Sequence, residues 1–275
     1  MDIMYLFFLG VIGVFGGIIA GMLGLGGGIF YILLFPYIIN ALGFPPELNA
    51  QYVIANSLFG IMVASGMSIL AYKKTGEFPW KEILFVGLSA ALVAYLSMNY
   101  IVLQPWFSKT IFNAFVIVLM LFILVKMYLE LHLNKKENGQ IKASQGILSG
   151  SISGFVSACS GLGGGIIIIP ILTMRYKISL QKAKIISLAV IFISSLSMTI
   201  NNLIAQPDFI HSSIKTIGYI IPSTILPISL GVLLGSPLGV RWSIHLNRKI
   251  LDVLFMVFVL LVLIEKSMSL LHAIF

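Results

Sequence analysis

Gly24-Leu25-Gly26-Gly27-Gly28-Ile29 returns, residue for residue, as Gly161-Leu162-Gly163-Gly164-Gly165-Ile166. Behind each copy stand small residues in phase: Gly13, Gly17 and Gly21 answer Gly150, Gly154 and Ala158. Ahead of each copy, Ala50-Gln51 aligns with Ala183-Lys184 after a small change in loop length, and Lys109 to Met120 resembles Lys249 to Leu260 in pattern. An identity of this length with matching surroundings reads as an internal duplication. The polar stretch from His132 to Ser144 is the join, giving a first repeat over 1–138 and a second over 139–275.

The chain around these motifs is built for lipid. Hydrophobic residues make up 59% and charged residues 9%, where a soluble domain carries about 25% charged residues. Apolar runs cover Ile3 to Leu23, Ile83 to Leu103, Ile111 to Val125 and Leu251 to Ile264, and a spanning helix needs about 20 such residues. The net charge of +8 does not indicate nucleic acid, because the basic residues lie in short runs between apolar segments, where they fix orientation in a membrane. The lone Cys159 excludes an intrachain disulfide. Met1-Asp2-Ile3 carries no basic leader, so a cleaved signal peptide is not expected.

Eight apolar segments can be drawn, at 3–40, 47–71, 82–104, 109–131, 144–174, 182–204, 215–240 and 249–272. If each crossed once, the seventeen Lys and Arg would divide nine to eight, with no cytoplasmic excess. If the first and fifth are instead hairpins broken at their triple glycines, fourteen fall on the cytoplasmic side and only Lys109, Lys215 and Lys266 outside. Each repeat then contains one hairpin and three full crossings, so the repeats face opposite ways, a recurring plan of secondary transporters. The expected fold is an all-α integral membrane protein of two inverted repeats, each a glycine-interrupted, re-entrant helical hairpin followed by three transmembrane helices. The two repeats form one membrane domain.

A triple glycine within a helix costs roughly 1 kcal/mol per residue against alanine. It reads either as a tight turn that needs φ > 0 or as bare backbone N–H groups lining a cavity. On the second reading a new helix begins just after the glycines, and its N-terminus offers partial positive charge and free donors to an anion. The candidate binding residues are Gly24, Gly26, Gly27, Gly28, Gly161, Gly163, Gly164 and Gly165, with Ser160, Asn56, Ser57 and Ser187 as nearby polar side chains. A serine in a membrane helix more often bonds its own backbone than a substrate. The glycine stripes at spacing four read as close helix packing.

No Asp, Glu or His falls near a membrane midplane on these segment limits. That disfavours a proton relay and leaves sodium coupling open. Export of an anion is favoured by the membrane potential, at about 2.3 kcal/mol per charge per 100 mV. Ser160 beside Gly161 lacks the base that an intramembrane serine hydrolase needs, so no enzyme is expected.

The repeated Gly-Leu-Gly-Gly-Gly, Pro170 and Leu172 after the second copy, and Tyr72-Lys73-Lys74-Thr75-Gly76 resemble the TauE/SafE sulfite exporter family over essentially the whole chain. The first repeat departs from the spacing, with Leu33 at the aligned position and its proline at Pro36. The resemblance implies export or movement of sulfite, sulfonates or related organic anions across the cytoplasmic membrane. An anion channel, or proton- or sodium-coupled uptake, is the alternative. The expected partners are a small anionic substrate and membrane lipid. No cofactor, metal or nucleic acid is expected, and homo-oligomerisation stays open.

The charge division predicts that both termini face outward and that Lys135 is cytoplasmic. Labelling of single cysteines from each side of the membrane checks this, and an external Lys135 with a cytoplasmic N-terminus would refute it.

Overall fold

Both triple glycines break their helices. The computed structural model describes residues 3–44, 49–73, 78–130, 139–207, 209, 211 and 214–274. Lys74, Thr75, Gly76, Lys135 and Lys136, and the end of the first repeat at residue 138, lie outside them. The described residues form ten helices: α1 Ile3–Leu23, α2 Gly28–Ala41, α3 Asn49–Tyr72, α4 Trp80–Ser97, α5 Lys109–Glu130, α6 Ala143–Ser160, α7 Gly165–Pro170, α8 Leu180–Ile204, α9 Pro222–His245 and α10 Arg248–Ile274. The expected eight segments become ten helices because the first and fifth split at their glycines.

Among the described residues, six helical spans are long and apolar enough to cross a bilayer: Met4–Leu23, Ala50–Tyr72, Trp80–Val102, Leu180–Ile204, Pro222–His245 and Lys249–Leu271. The second hairpin arms are shorter. The 14 residues of α2 reach only ~21 Å at 1.5 Å per residue. Helix α7 has 6 residues and continues through a π-helical turn at Ile171–Arg175, where Pro170 supplies no N–H to an α-helical ladder.

The seventh segment is shifted from its expected span of 215–240. Gly218, at φ +57°, folds the chain back so that the Tyr219 N–H donates to the Asn202 carbonyl at 3.0 Å. The helix starts only at Pro222, whose fixed φ and missing N–H suit a first helical position.

The two repeats interlock. Helix α1 packs along α9, and α6 packs along α4, so each repeat lends its first arm to the other. Both pairs run parallel: Gly13, Gly17 and Gly21 meet Ile228, Ser236 and Val240 in turn, while Gly150 and Gly154 meet Val86 and Ala90. Gly231, Gly235 and Gly239 answer from α9, against Gly10, Val14 and Ile18. The glycine stripes are therefore packing surfaces, as small residues are where two backbones approach in lipid. The central pair, α3 and α8, runs antiparallel: Ile61 and Ile191 share neighbours at mid-helix, while Tyr72 clusters with Ile185 and Leu188. Helices α5 and α10 are antiparallel too, with Asn113 bonded to Ser269 at 3.1 Å.

The structure corrects one register. Gly24 lies on Lys184 and Gly161 on Ile54, and both Gly26 and Gly163 lie on Ile61 and Ile191. Ile54 thus corresponds to Lys184, Ser57 to Ser187 and Ile61 to Ile191. Ala50-Gln51 pairs with Leu180-Gln181, three residues earlier than the sequence alignment placed it. The helix starts agree with this alignment to within one residue, α3 beginning at Asn49 and α8 at Leu180.

Four of the basic runs lie on one face. Lys182 meets Glu82 at 2.6 Å, Lys81, Lys142 and Lys182 line one cleft, and Tyr72 and Lys184 both reach Ser243 near the end of α9. Eight single crossings would put Glu82 and Lys182 on opposite sides, so that arrangement is excluded.

A leucine at Gly235 would drive its Cβ into the Val14 carbonyl. Gly235→Leu should lower stability by about 1–3 kcal/mol or more. Leu234→Ala, on the exposed side of the same helix, should change it little. Thermal midpoints of the purified protein in detergent give the comparison.

Candidate functional site

Each hairpin tip is a run of left-handed glycines. Gly24, Gly26 and Gly27 have φ of +74°, +67° and +76°, and Gly161, Gly163 and Gly164 have +65°, +81° and +70°. L-residues are disfavoured at these angles. Hydrogen bonding matches as well. The first arms close with Gly24 N–H to Ala20 O and Gly161 N–H to Ser157 O, both at 3.0 Å. The second arms open on Gly27 O, which accepts from Phe30 and Tyr31, and on Gly164 O, which accepts from Ile167 and Ile168.

The fourth glycine of each motif has a different task. Gly28 and Gly165 lack positive φ, but a Cβ on Gly28 would collide with the Leu162 backbone, and one on Gly165 would lie 3.2 Å from the Leu25 Cα. The tips touch reciprocally, backbone to backbone. Because Ile61 and Ile191 lie near the middles of α3 and α8, the tips meet at mid-height of the central pair.

Between the two arms the backbone donors run out of partners. The N–H groups of Gly26, Gly27, Gly28 and Ile29, and of Gly163, Gly164, Gly165 and Ile166, have no hydrogen-bond acceptor among the described residues. All eight residues are buried. Buried backbone donors are otherwise almost always paired.

The expected polar side chains divide. Ser187 donates to Gly24 O at 3.0 Å and also lies beside Gly165, so it touches both tips. Ser57, its counterpart, is fully buried and its hydroxyl has no partner. Ser160 donates to Val156 O at 2.6 Å and accepts from the Leu162 N–H at 3.2 Å, which holds the second tip in shape. Asn56 does not serve the tips. Its amide donates to Tyr52 O and Tyr219 O, and its Oδ1 accepts the Ile221 N–H. It ties α3 to the start of α9.

Three other polar groups border the first tip or stand a turn before the second. The Tyr31 ring packs on Gly16, Gly27 and Gly60, and its buried hydroxyl is unpartnered, as is that of Ser157, one turn before the second tip. Lys184, counted among the fourteen basic residues of the cytoplasmic side, is 5% exposed and turned inward. Its ammonium donates to Met22 O at 2.8 Å and Ser243 Oγ at 2.7 Å. A cation there satisfies one of the last carbonyls of α1, at the negative end of its dipole. A helical stripe in the sequence could have placed it: Lys184, Ser187 and Ile191 recur at spacings of three and four, as Ile54, Ser57 and Ile61 do in α3.

The family described as Sulfite exporter TauE/SafE matches residues 9–265. The chain belongs to the TauE/SafE family. It is similar to a "Probable membrane transporter protein" of Methanocaldococcus jannaschii, 29% identical over 87% of this chain and 85% of that one. A "Probable membrane transporter protein" of Bacillus subtilis, YunE, is 24% identical over 71% of this chain and 77% of its own. One from Haemophilus influenzae is 24% identical over 60% and 61%. No solved structure matches the chain. This TauE/SafE chain is thus a multi-pass membrane protein of a transporter family, and the paired glycine tips lie at its centre.

Gly28→Ala and Gly165→Ala keep an unstrained φ and add one methyl each between the tips. Each should cut transport at least ~10-fold, since overpacking of about 1–3 kcal/mol falls on the contact itself. Flux per inserted molecule in proteoliposomes, normalised to protein amount, measures it.

Proposed function

We propose that the chain exports small anions, in particular sulfite, sulfonates or related sulfur-containing organic anions, across the cytoplasmic membrane. The eight unpartnered N–H groups at the two facing tips carry this reading. An oxyanion is what such a cluster lacks: it accepts several short N–H bonds at once, and the helix dipoles behind α2 favour its charge. The fixed partial charges need no lysine or arginine in direct contact. The unpartnered Ser57 hydroxyl would add a further donor to the coordination, while Ser187 braces the first tip through Gly24 O.

We infer from the same frame that the repeats are inverted. A two-fold axis lying in the membrane turns each helix over, and the equivalent helices α3 and α8, like α5 and α10, are antiparallel. The face that gathers Lys81, Lys142 and Lys182 is the cytoplasmic one by the excess of basic residues. Tips that press on each other backbone to backbone favour a carrier that must move to pass its load over an open pore. The work is binding and displacement, without bond cleavage. The Ser160 hydroxyl is already engaged with backbone on both its donor and acceptor sides.

A site of backbone donors and hydroxyls does not titrate between about pH 6 and 8. Sulfite itself does, so a permanently charged sulfonate is the right probe. In proteoliposomes, methanesulfonate flux should follow a potential set with valinomycin and ignore an imposed pH step. Uphill accumulation driven by the pH step at zero potential would overturn the uncoupled mechanism.

A further inference from the structure

Away from the tips, a cleft of about 280 Å³ opens between α4 and α6 on the basic face. Lys81, Lys142 and Lys182 line it against a single carboxylate, Glu82, which is committed to Lys182 at 2.6 Å. Lys81 and Lys142 are exposed and have no ion pair among the described residues. The two helices that flank it run parallel and both begin here, α4 at Trp80 and α6 at Ala143, and α8 begins at Leu180 beside them. Three positive helix ends therefore add to the lysine charges.

The wall of the cleft tells what sort of anion it takes. Its sides include Phe85 and Val86. Beyond Phe85, α4 and α6 present exposed Leu84, Leu88, Ile147 and Leu148, a face that meets acyl chains once the helices span a bilayer. Trp80, 64% exposed at the start of α4 and tilted against Phe78 with ring centroids 4.6 Å apart, is the kind of aromatic that marks the headgroup level. A basic notch at headgroup height that opens onto a greasy groove matches a molecule with both parts.

We propose that this cleft binds the phosphate headgroup of an anionic phospholipid, with an acyl chain laid along the α4–α6 groove. Basic pockets between transmembrane helices on the cytoplasmic side take such headgroups. The bound lipid would brace the cytoplasmic ends of α4, α6 and α8 together. Its binding does not depend on which anion the tips carry.

The test uses the purified full chain in detergent, titrated with phosphatidylglycerol, phosphatidylcholine or inorganic phosphate. Thermal midpoint and lipid retained by native mass spectrometry are read together. Phosphatidylglycerol should raise the midpoint of the parent protein by several degrees, and phosphatidylcholine should not. Lys81→Gln with Lys142→Gln should weaken phosphatidylglycerol retention at least ~10-fold. Arg241→Gln with Lys249→Gln removes the same charge from the same face outside the cleft and should leave it unchanged. If the double cleft variant does not fold, Lys142→Gln alone, at the exposed cap of α6, should give an intermediate loss. Equal retention by all variants would overturn the site. A midpoint shift by inorganic phosphate as large as that by phosphatidylglycerol would overturn the lipid in favour of a free anion.

Discussion

Two backbones pressed together at the centre of a membrane protein set the terms for everything around them. The Gly28 Cα faces the Leu162 peptide, and Gly165 faces Leu25, with no room for a Cβ on Gly28. Such contact is tolerable only if the unsatisfied peptide groups are shielded from lipid, because non-helical backbone has no place in hydrocarbon. The central helices α3 and α8 provide the shield, and they are the most buried spans of the molecule. The outer pairs follow from this. Helices α1 and α6 must reach the centre, so each lies against a helix of the opposite repeat that holds it at glycine-stripe distance.

The same contact links architecture to motion. Neither tip can shift without carrying its hairpin, and each hairpin is clamped to the other repeat. A displacement at the tips would therefore require a slide of α1 along α9 or α6 along α4. Smooth glycine stripes suit small sliding of packed helices, one of the ways in which proteins switch between discrete states. Asn56 and Ser160, whose hydrogen-bonding groups are spent on backbone, hold the start of α9 and the second tip in register.

Much of this was legible in the sequence because the decisive residues are glycines, and a glycine repeated in the middle of an apolar run has few physical meanings. The duplication, the broken helices, the hairpin arrangement and the membrane all follow from it. What misled was side-chain direction. Lys184 was counted with its basic neighbours only for its charge, although it shares a helical face with Ser187 and Ile191. Asn56 was read as a ligand because it is polar and deep, yet the turn from Ile217 to Ile221 comes back to use it. That turn is made by residues distant in the chain, which local pattern cannot reveal. Tyr31 escaped for a related reason: the glycines its ring rests on, Gly16, Gly27 and Gly60, come from three separate elements.

The repeats are alike in backbone but not in chemistry. Where the first tip rests on Lys184, hydrogen-bonded to Met22 O and Ser243, the second rests on the aliphatic side chains of Ile54 and Ile32. One tip leans on the stem of a side chain whose ammonium is hydrogen-bonded to α1 and α9, the other on wholly aliphatic side chains. Exposing apolar surface raises heat capacity, whereas exposing polar surface lowers it. Parting the first tip from its polar-headed neighbour and the second from its aliphatic ones would therefore change the heat capacity by different amounts, so two backbone-identical tips would answer differently to warming or cooling.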